Sequence, residues 1–313
     1  MEPYDQMGGV TLYCGEAAAV LRELPEGSAR CCVTSPPYWG LRDYGVGGQL
    51  GLERAPDEYV ARLVAIFREV RRVLKDDGTL WLNLGDSYAA NRSYQVASTK
   101  GGPKHSPAQG ALSASTVPDG LKPKDLVGIP WRVAFALQAD GWYLRQDIIW
   151  AKPNPMPESV TDRCTKAHEY LFLLSKRERY YYDASAIAEL SFGDKGAGTR
   201  NYRPGSDGNQ RKDEWQSVVN LRAVRNRRSV WTVATQPYAG AHFATFPPKL
   251  IEPCILAGCP EGGVVLDPFM GSGTTAAVAR NLARKAIGID LNADYLQLAR
   301  KRLAQGVLDF GAA

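Results

Sequence analysis

The 313-residue chain lacks the cysteine and histidine patterns of a zinc site or a disulfide framework. Its six cysteines form no C-x-x-C pair and it contains only three histidines, so we expect no structural metal and no cross-links. It also lacks any run approaching the ~18 apolar residues that span a bilayer, and its first residues do not resemble a secretory signal. These absences predict a protein of a reducing, cytoplasmic compartment that does not enter a membrane.

A strong excess of charge of one sign is also missing, because 38 basic and 33 acidic side chains leave a net charge of only +5. The whole surplus lies in residues 191–230, where nine basic side chains outnumber four acidic ones. Clustered positive charge attracts a polyanion more strongly than the same charge spread over a surface. We therefore interpret residues 191–230 as a basic recognition region within an otherwise neutral chain.

What the chain does contain is an alternation of helix-like and strand-like segments, which predicts an α/β fold with a mostly parallel sheet. Apolar residues at helical spacing predict a helix over residues 57–75. Residues 91–125 are rich in Ser, Gly, Pro and Ala and are expected to form a flexible insertion. The strand candidates are residues 29–34, 79–84, 144–150, 170–174, 264–267 and 286–290.

A glycine turn near the C-terminus is the first candidate ligand site. The strand expected at residues 264–267 ends in Asp267, and the turn that follows leads into a helix beginning at about Thr274. Asp290 lies 23 residues after Asp267, near the spacing at which an acid holds a ribose diol. A phosphate-binding loop needs a lysine where Thr274 stands. S-adenosylmethionine fits better, because its amino group and cationic sulfur suit Asp267 and its ribose suits Asp290.

The sequence SPPY at residues 35–38 is a candidate reaction centre. Ser35 follows an apolar strand, at the sheet edge where α/β active sites lie. The two prolines fix the backbone and leave the Pro36 carbonyl as an acceptor, while Ser35 supplies a second acceptor and Tyr38 an aromatic face. Two acceptors beside an aromatic ring suit the exocyclic amino group of a base that has left the DNA stack.

SPPY at residues 35–38 and DPFMGSG at residues 267–273 together resemble the amino-methylating DNA methyltransferases of bacterial modification systems. The reaction motif precedes the cofactor motif, which is the order of the beta class. The resemblance implies a circularly permuted, Rossmann-like S-adenosylmethionine-dependent methyltransferase fold. It also implies one catalytic domain formed by residues 1–190 and 231–313, with the target-recognition region at residues 191–230.

The motifs and the resemblance together assign three sets of site residues. The catalytic set is Ser35, Pro36, Pro37 and Tyr38. The cofactor-binding set is Glu16, Phe246, Asp267, Pro268, Phe269, Gly271, Ser272, Gly273, Thr274 and Asp290. The DNA-binding set is Arg42, Arg222, Arg225, Arg227 and Arg228. Further family blocks at residues 80–86, 152–157 and 168–170 are expected around the target-base pocket.

The residue at the first motif position, Ser35, favours cytosine as the target base. In the family a serine there is associated with cytosine N4, and Asp or Asn with adenine N6. We therefore expect methyl transfer from S-adenosylmethionine to cytosine N4 of a flipped base in duplex DNA, with adenine N6 as the alternative. A protein-glutamine or RNA amino-methyltransferase fits less well, because these enzymes usually place the cofactor motif first.

The resemblance also bears on partners and location. It implies a bacterial, nucleoid-associated protein whose main partner is double-stranded DNA. Beta-class relatives often dimerise, so a homodimer is left open, as is a cognate restriction nuclease. A non-catalytic DNA-binding relative would show damage in Ser35, Pro36 or Asp267, and all three are intact.

Overall fold

The computed structural model describes residues 1–41, 45–89, 117, 120–190, 224–236 and 246–304. Within these ranges, no helix is both long enough and apolar enough to cross a membrane. The helices are α1 (Ala17–Glu23), α2 (Pro56–Val73), α3 (Ile129–Ala139), α4 (Pro248–Gly258), α5 (Thr274–Asn281) and α6 (Ala293–Ala304), with a short 3-10 helix at Ser185–Ile187.

In the described part of the chain, nine strands form one large sheet in the order β1-β2-β11-β10-β3-β4-β6-β5-β9, and β7 pairs with β8 apart from it. The strands are β1 (Asp5–Met7), β2 (Val10–Cys14), β3 (Ala29–Thr34), β4 (Leu74–Leu84), β5 (Tyr143–Ala151), β6 (His168–Ser175), β7 (Glu189–Leu190), β8 (Val224–Arg225), β9 (Val230–Thr232), β10 (Val264–Asp267) and β11 (Lys285–Asp290).

The centre of the sheet brings the two ends of the chain together. Strand β10 lies between β11 and β3 and runs parallel to both, with Val265 opposite Cys31 and Leu266 opposite Cys32. The pairs β2/β11 and β3/β4 are also parallel, whereas β6 runs antiparallel to β4 and β5. The α/β fold with a mostly parallel sheet is confirmed, and the strand that carries the reaction motif is the direct neighbour of the strand that carries the cofactor motif.

Helices cover both faces of the sheet. Side chains alternate along β4, so that Leu80, Leu82 and Leu84 pack with α1, α2 and α3, while Trp81 packs on the opposite face with α4. Strands covered on both faces read as continuous apolar runs, which makes them recognisable in the sequence. The two apolar layers hold the sheet rigid up to the end where its parallel strands finish.

Element boundaries differ slightly from the expected ones at the start of β4. Helix α2 begins with Pro56 at its first turn, and two acids follow there, where they interact favourably with the helix dipole. It ends at Val73 because Leu74 adopts an extended backbone and already belongs to β4. Most of the two expected insertions, residues 91–125 and 191–230, lies outside the described residues.

Candidate active site at the carboxyl end of the sheet

A cavity of about 850 Å³ lies where β3, β10 and β11 end, and both predicted sites contribute to its wall. From the predicted sets, the lining residues are Glu16, Ser35, Pro36, Pro37, Tyr38, Phe246, Pro268, Phe269, Gly271, Thr274 and Asp290. The sheet therefore joins the reaction motif and the cofactor motif in one space. Asp267, Ser272 and Gly273 are not among the residues that line this cavity, and Asp267 is buried.

Asp267 lies beneath the cavity wall, where its side chain ties two strands and a helix together. It is 1% exposed, and its Oδ1 accepts hydrogen bonds from the Thr34 hydroxyl (2.6 Å) and the Phe269 N–H (3.0 Å). Its Oδ2 accepts from the Thr275 hydroxyl (2.6 Å). Burial raises the pKa of Asp267 to about 6, in spite of these three donors. Asp267 thus holds the end of β3 against the turn that follows β10.

Asp290 does reach the cavity and fixes the glycine turn from its other side. Its Oδ2 accepts a hydrogen bond from the Gly271 N–H (2.8 Å), and its Oδ1 accepts from the Asn292 N–H (2.8 Å). Burial raises the pKa of this carboxyl as well. The carboxylate still has a lone pair available for a ligand hydroxyl group.

Gly273 serves the packing of the turn. Its φ of +80° favours glycine, and a Cβ there would lie 2.7 Å from the Cβ of Ala299 on α6. Glu16, at the opposite side of the cavity, is the N-cap of α1 and accepts from the N–H groups of Ala18 (3.1 Å) and Ala19 (2.7 Å). Glu16 also lines the cavity, and Gly273 packs the turn against α6. The sequence motifs indicated neither the N-cap contacts of Glu16 nor the packing of Gly273.

The reaction motif at residues 35–38 is held in place by hydrogen bonds to Pro37 and from the following residue, Trp39. The Pro37 carbonyl accepts a hydrogen bond from the Tyr59 hydroxyl (2.8 Å), and the Trp39 indole N–H donates to the Glu53 carbonyl (3.0 Å). Among the described residues, none donates a hydrogen bond to the Pro36 carbonyl. These contacts fix the backbone directly after the one carbonyl that the motif was expected to offer.

Tyr38 is oriented by three polar neighbours at the back of the cavity. Its hydroxyl donates to Glu169 Oε2 (2.7 Å), with Asn83 Oδ1 at 3.2 Å and the Ser35 hydroxyl at 3.4 Å. Burial and the nearby Glu169 charge raise the pKa of Tyr38 well above its usual range, so the phenol stays protonated. Its ring packs against Gly85, where a Cβ would lie only 2.5 Å from Cε2.

Two lysine–carboxylate pairs complete this side of the cavity. Lys152 pairs with Glu169, and its ammonium group also lies 4.3 Å from the centre of the Trp150 ring. Lys166 lies 3.7 Å from Asp86, and its pKa is lowered by burial. Glu169 and both lysines line the cavity. Glu169 and Lys152 belong to the family blocks expected around the pocket, but their contact with Tyr38 carries no local sequence signal.

The predicted DNA-binding arginines are only partly described. Arg225 and Arg228 share the carboxylate of Glu189, at 3.5 Å and 3.0 Å. The guanidinium of Arg227 instead lies 4.7 Å from the centre of the Trp231 ring. Arg42 and Arg222 lie outside the described residues. The three described arginines therefore have structural partners of their own.

Comparison with known proteins gives a consistent picture. The model of a DNA methylase family, N6_N4_Mtase, matches residues 29–301. The chain is 52% identical over 299 residues to Type II methyltransferase M.Cfr9I of Citrobacter freundii, covering 95% of this chain and 89% of that protein. It is 49% identical over 290 residues to Type II methyltransferase M.SmaI of Serratia marcescens, covering 92% and 89%.

Solved structures share the fold at lower identity. The PvuII DNA methyltransferase (cytosine-N4-specific) superposes with a TM-score of 0.65 at 19% identity, covering 100% of this chain and 91% of that one. A putative DNA modification methylase of Thermus thermophilus, solved with S-adenosyl-L-methionine, gives a TM-score of 0.60 at 24% identity, covering 96% and 98%. Both solved structures therefore share the fold of this chain.

Proposed function

Because this chain belongs to the N6/N4 DNA methylase family, whose cofactor is S-adenosylmethionine, we propose that it methylates N4 of cytosine in double-stranded DNA. The observation that carries the proposal is the joining of two motifs in one cavity. Ser35 and Pro36 line it at the end of β3, and the glycine turn lines it at the end of the adjacent β10. A base amino group and a methyl donor can therefore meet there.

The residues around the glycine turn fit S-adenosylmethionine. Gly271 brings backbone to the wall, and Asp290 offers carboxylate lone pairs beside it. Phe246 and Phe269 add aromatic surface, and Glu16 adds negative charge at the other side. When bound, the cofactor supplies a methyl group on a cationic sulfur. Acidic and aromatic walls suit such a cation.

The reaction segment is built to make an amino group more nucleophilic. The lone pair of an exocyclic amine is delocalised into its ring, and acceptors that hold both N–H bonds free it as the new bond forms. The Ser35 hydroxyl and the Pro36 carbonyl are the two acceptors, and the contacts of Pro37 and Trp39 hold their backbone in place. Fixed acceptors stabilise the positive charge that develops on the nitrogen without reorganising.

Serine at the first motif position supports cytosine over adenine, as does the cytosine-N4 specificity of the structurally similar PvuII enzyme. A cytosine in a duplex must leave the stack to enter the cavity, which costs a few kcal/mol that contacts in the pocket offset. Residues 191–230 are the target-recognition region in this proposal, inserted into a catalytic domain formed by residues 1–190 and 231–313.

The proposal is tested by incubating plasmid DNA with labelled S-adenosylmethionine and either the wild-type protein or the Ser35→Ala variant. We expect label in the DNA with the wild type and a loss of on the order of a hundredfold in rate with the variant. Calorimetry should show that the variant still binds the cofactor. Wild-type turnover by the variant would remove Ser35 from the reaction, and no label with the wild type would overturn the proposed activity.

A further inference from the structure

The connection between β5 and β6, residues 152–167, projects from the cavity wall, and we call it the 152–167 arm. Its two ends are joined by a hydrogen bond from the Lys152 N–H to the Ala167 carbonyl (2.8 Å). At one end of the arm Lys152 pairs with Glu169 on the cavity wall, and at the other end Lys166 lies 3.7 Å from Asp86. Both ends of the arm are therefore held beside the cavity.

Polar contacts also brace the arm along its length. Asn154 exchanges two hydrogen bonds with the backbone of Thr235, at 2.9 and 3.2 Å. Arg163 pairs with Glu158, and its guanidinium lies 3.9 Å from the centre of the Tyr88 ring. The arm is thus held in one shape by contacts with neighbouring segments rather than by an apolar core of its own.

This braced arm presents one apolar side chain to solvent beside the cavity. Met156 is 85% exposed, the highest value among the large hydrophobic side chains of the described residues. It lines the cavity and stands between Pro155 and Pro157, whose rings restrict the backbone on both sides. A rigid backbone therefore holds an unpaired apolar side chain at the rim of the pocket.

We propose that Met156 enters the DNA base stack as the target base leaves it, an inference that rests on the proposed function. A flipped base leaves a gap between the apolar faces of its neighbours, and an apolar side chain that fills the gap stabilises the open duplex. Met156 has the required chemistry, and its place beside the cavity puts it next to the base that departs. Because the arm is already ordered, little conformational entropy is lost when Met156 inserts.

The test compares Met156→Ala with the wild type on two short duplexes that carry a site first mapped by sequencing methylated plasmid DNA. One duplex is fully paired, and the other has an abasic site opposite the target base, so that flipping costs less. We expect single-turnover methylation of the paired duplex to fall by about tenfold or more. On the abasic duplex the methylation rate of the variant should be within about twofold of the wild-type rate, because flipping the target base there costs less free energy.

Two further variants sharpen the result. Met156→Leu keeps an apolar side chain and should retain most of the activity on the paired duplex. Phe135→Ala removes an exposed apolar side chain from α3, which does not line the cavity, and should change neither rate. Equal losses on both duplexes, or no loss on the paired one, would overturn the role of Met156. Failure of the wild type to methylate any plasmid would instead overturn the proposed function.

Discussion

At the scale of single residues, Asp267 shows how the protein uses a buried acid. Its carboxylate accepts hydrogen bonds from Thr34 and Thr275, which lie 233 and 8 residues away. Its contacts in the structure tie two strands and a helix together, and its role in cofactor binding stays a prediction. The contact with Thr34 could not be read from the sequence, because it depends on the pairing of β3 with β10.

The raised pKa of Asp267 leads to a prediction about stability. The ordinary pKa of an aspartate is 3.8, whereas that of Asp267 in the native protein is about 6. Between these two pH values the native protein therefore holds a proton that the unfolded chain has lost. The stability that this proton contributes is fully present below pH 3.8 and is lost as the pH rises through 6. A difference of about two pH units corresponds to ~3 kcal/mol.

Asp267→Asn removes this titration. We therefore expect the free energy of unfolding of the variant, measured relative to the wild type in urea without cofactor, to rise by up to ~3 kcal/mol between pH 4 and pH 7. Subtracting the wild type cancels the other titrating groups. A difference between the two proteins that stays constant across this pH range would show that Asp267 titrates normally.

At the scale of elements, the end of β4 controls the position of Tyr38. Gly85 follows the strand directly, and a Cβ there would lie 2.5 Å from the Tyr38 ring, whose hydroxyl is held by Glu169. Gly85→Ala should displace the ring and lower the methylation rate on the order of a hundredfold, as small misplacements in active sites do. Single-turnover kinetics measures the methylation rate, and calorimetry measures the affinity for the cofactor. We expect the affinity for the cofactor to be retained.

Gly47→Ala is the matched control for this prediction. It adds the same methyl group at a position where no atom of the described residues lies within 4 Å of the added carbon. We expect its methylation rate to equal that of the wild type. Equal rates for Gly85→Ala and Gly47→Ala would show that the fit between Tyr38 and the end of β4 is irrelevant to the reaction.

The elements themselves were largely predictable. The bounds of β3 and β10 agree with those expected, because a strand covered on both faces is a continuous apolar run with polar residues at its ends. Helix α2 ends two residues earlier than expected, since Leu74 joins the sheet. The adjacency of β3 and β10 was not predicted, because periodicity carries no information about which strands pair.

At the scale of the whole molecule, the protein has only a small net charge with which to bind a polyanion. Arg225 and Arg228 share the carboxylate of Glu189, so these three side chains together carry one net positive charge. If both arginines contact phosphates, replacing both with glutamine should make the slope of log affinity against log salt shallower by about two. Binding to duplex DNA at several salt concentrations measures this slope.

Lys285→Gln is the control for this experiment. Lys285 begins β11, at the end of the sheet opposite the cavity, and its replacement removes a single positive charge there. We expect this variant to leave the slope unchanged. A slope that is equally unaffected by the change at Arg225 and Arg228 would remove these arginines from the DNA interface.

The measurement that tests the central claim most directly is the identity of the methylated base. Duplex DNA treated with the wild-type protein and S-adenosylmethionine is digested to nucleosides, which are then separated and identified by mass spectrometry. We predict N4-methylcytosine as the product, because serine, and not Asp or Asn, stands at the first position of the reaction motif that lines the shared cavity. N6-methyladenine in its place would contradict the assignment of cytosine as the target base.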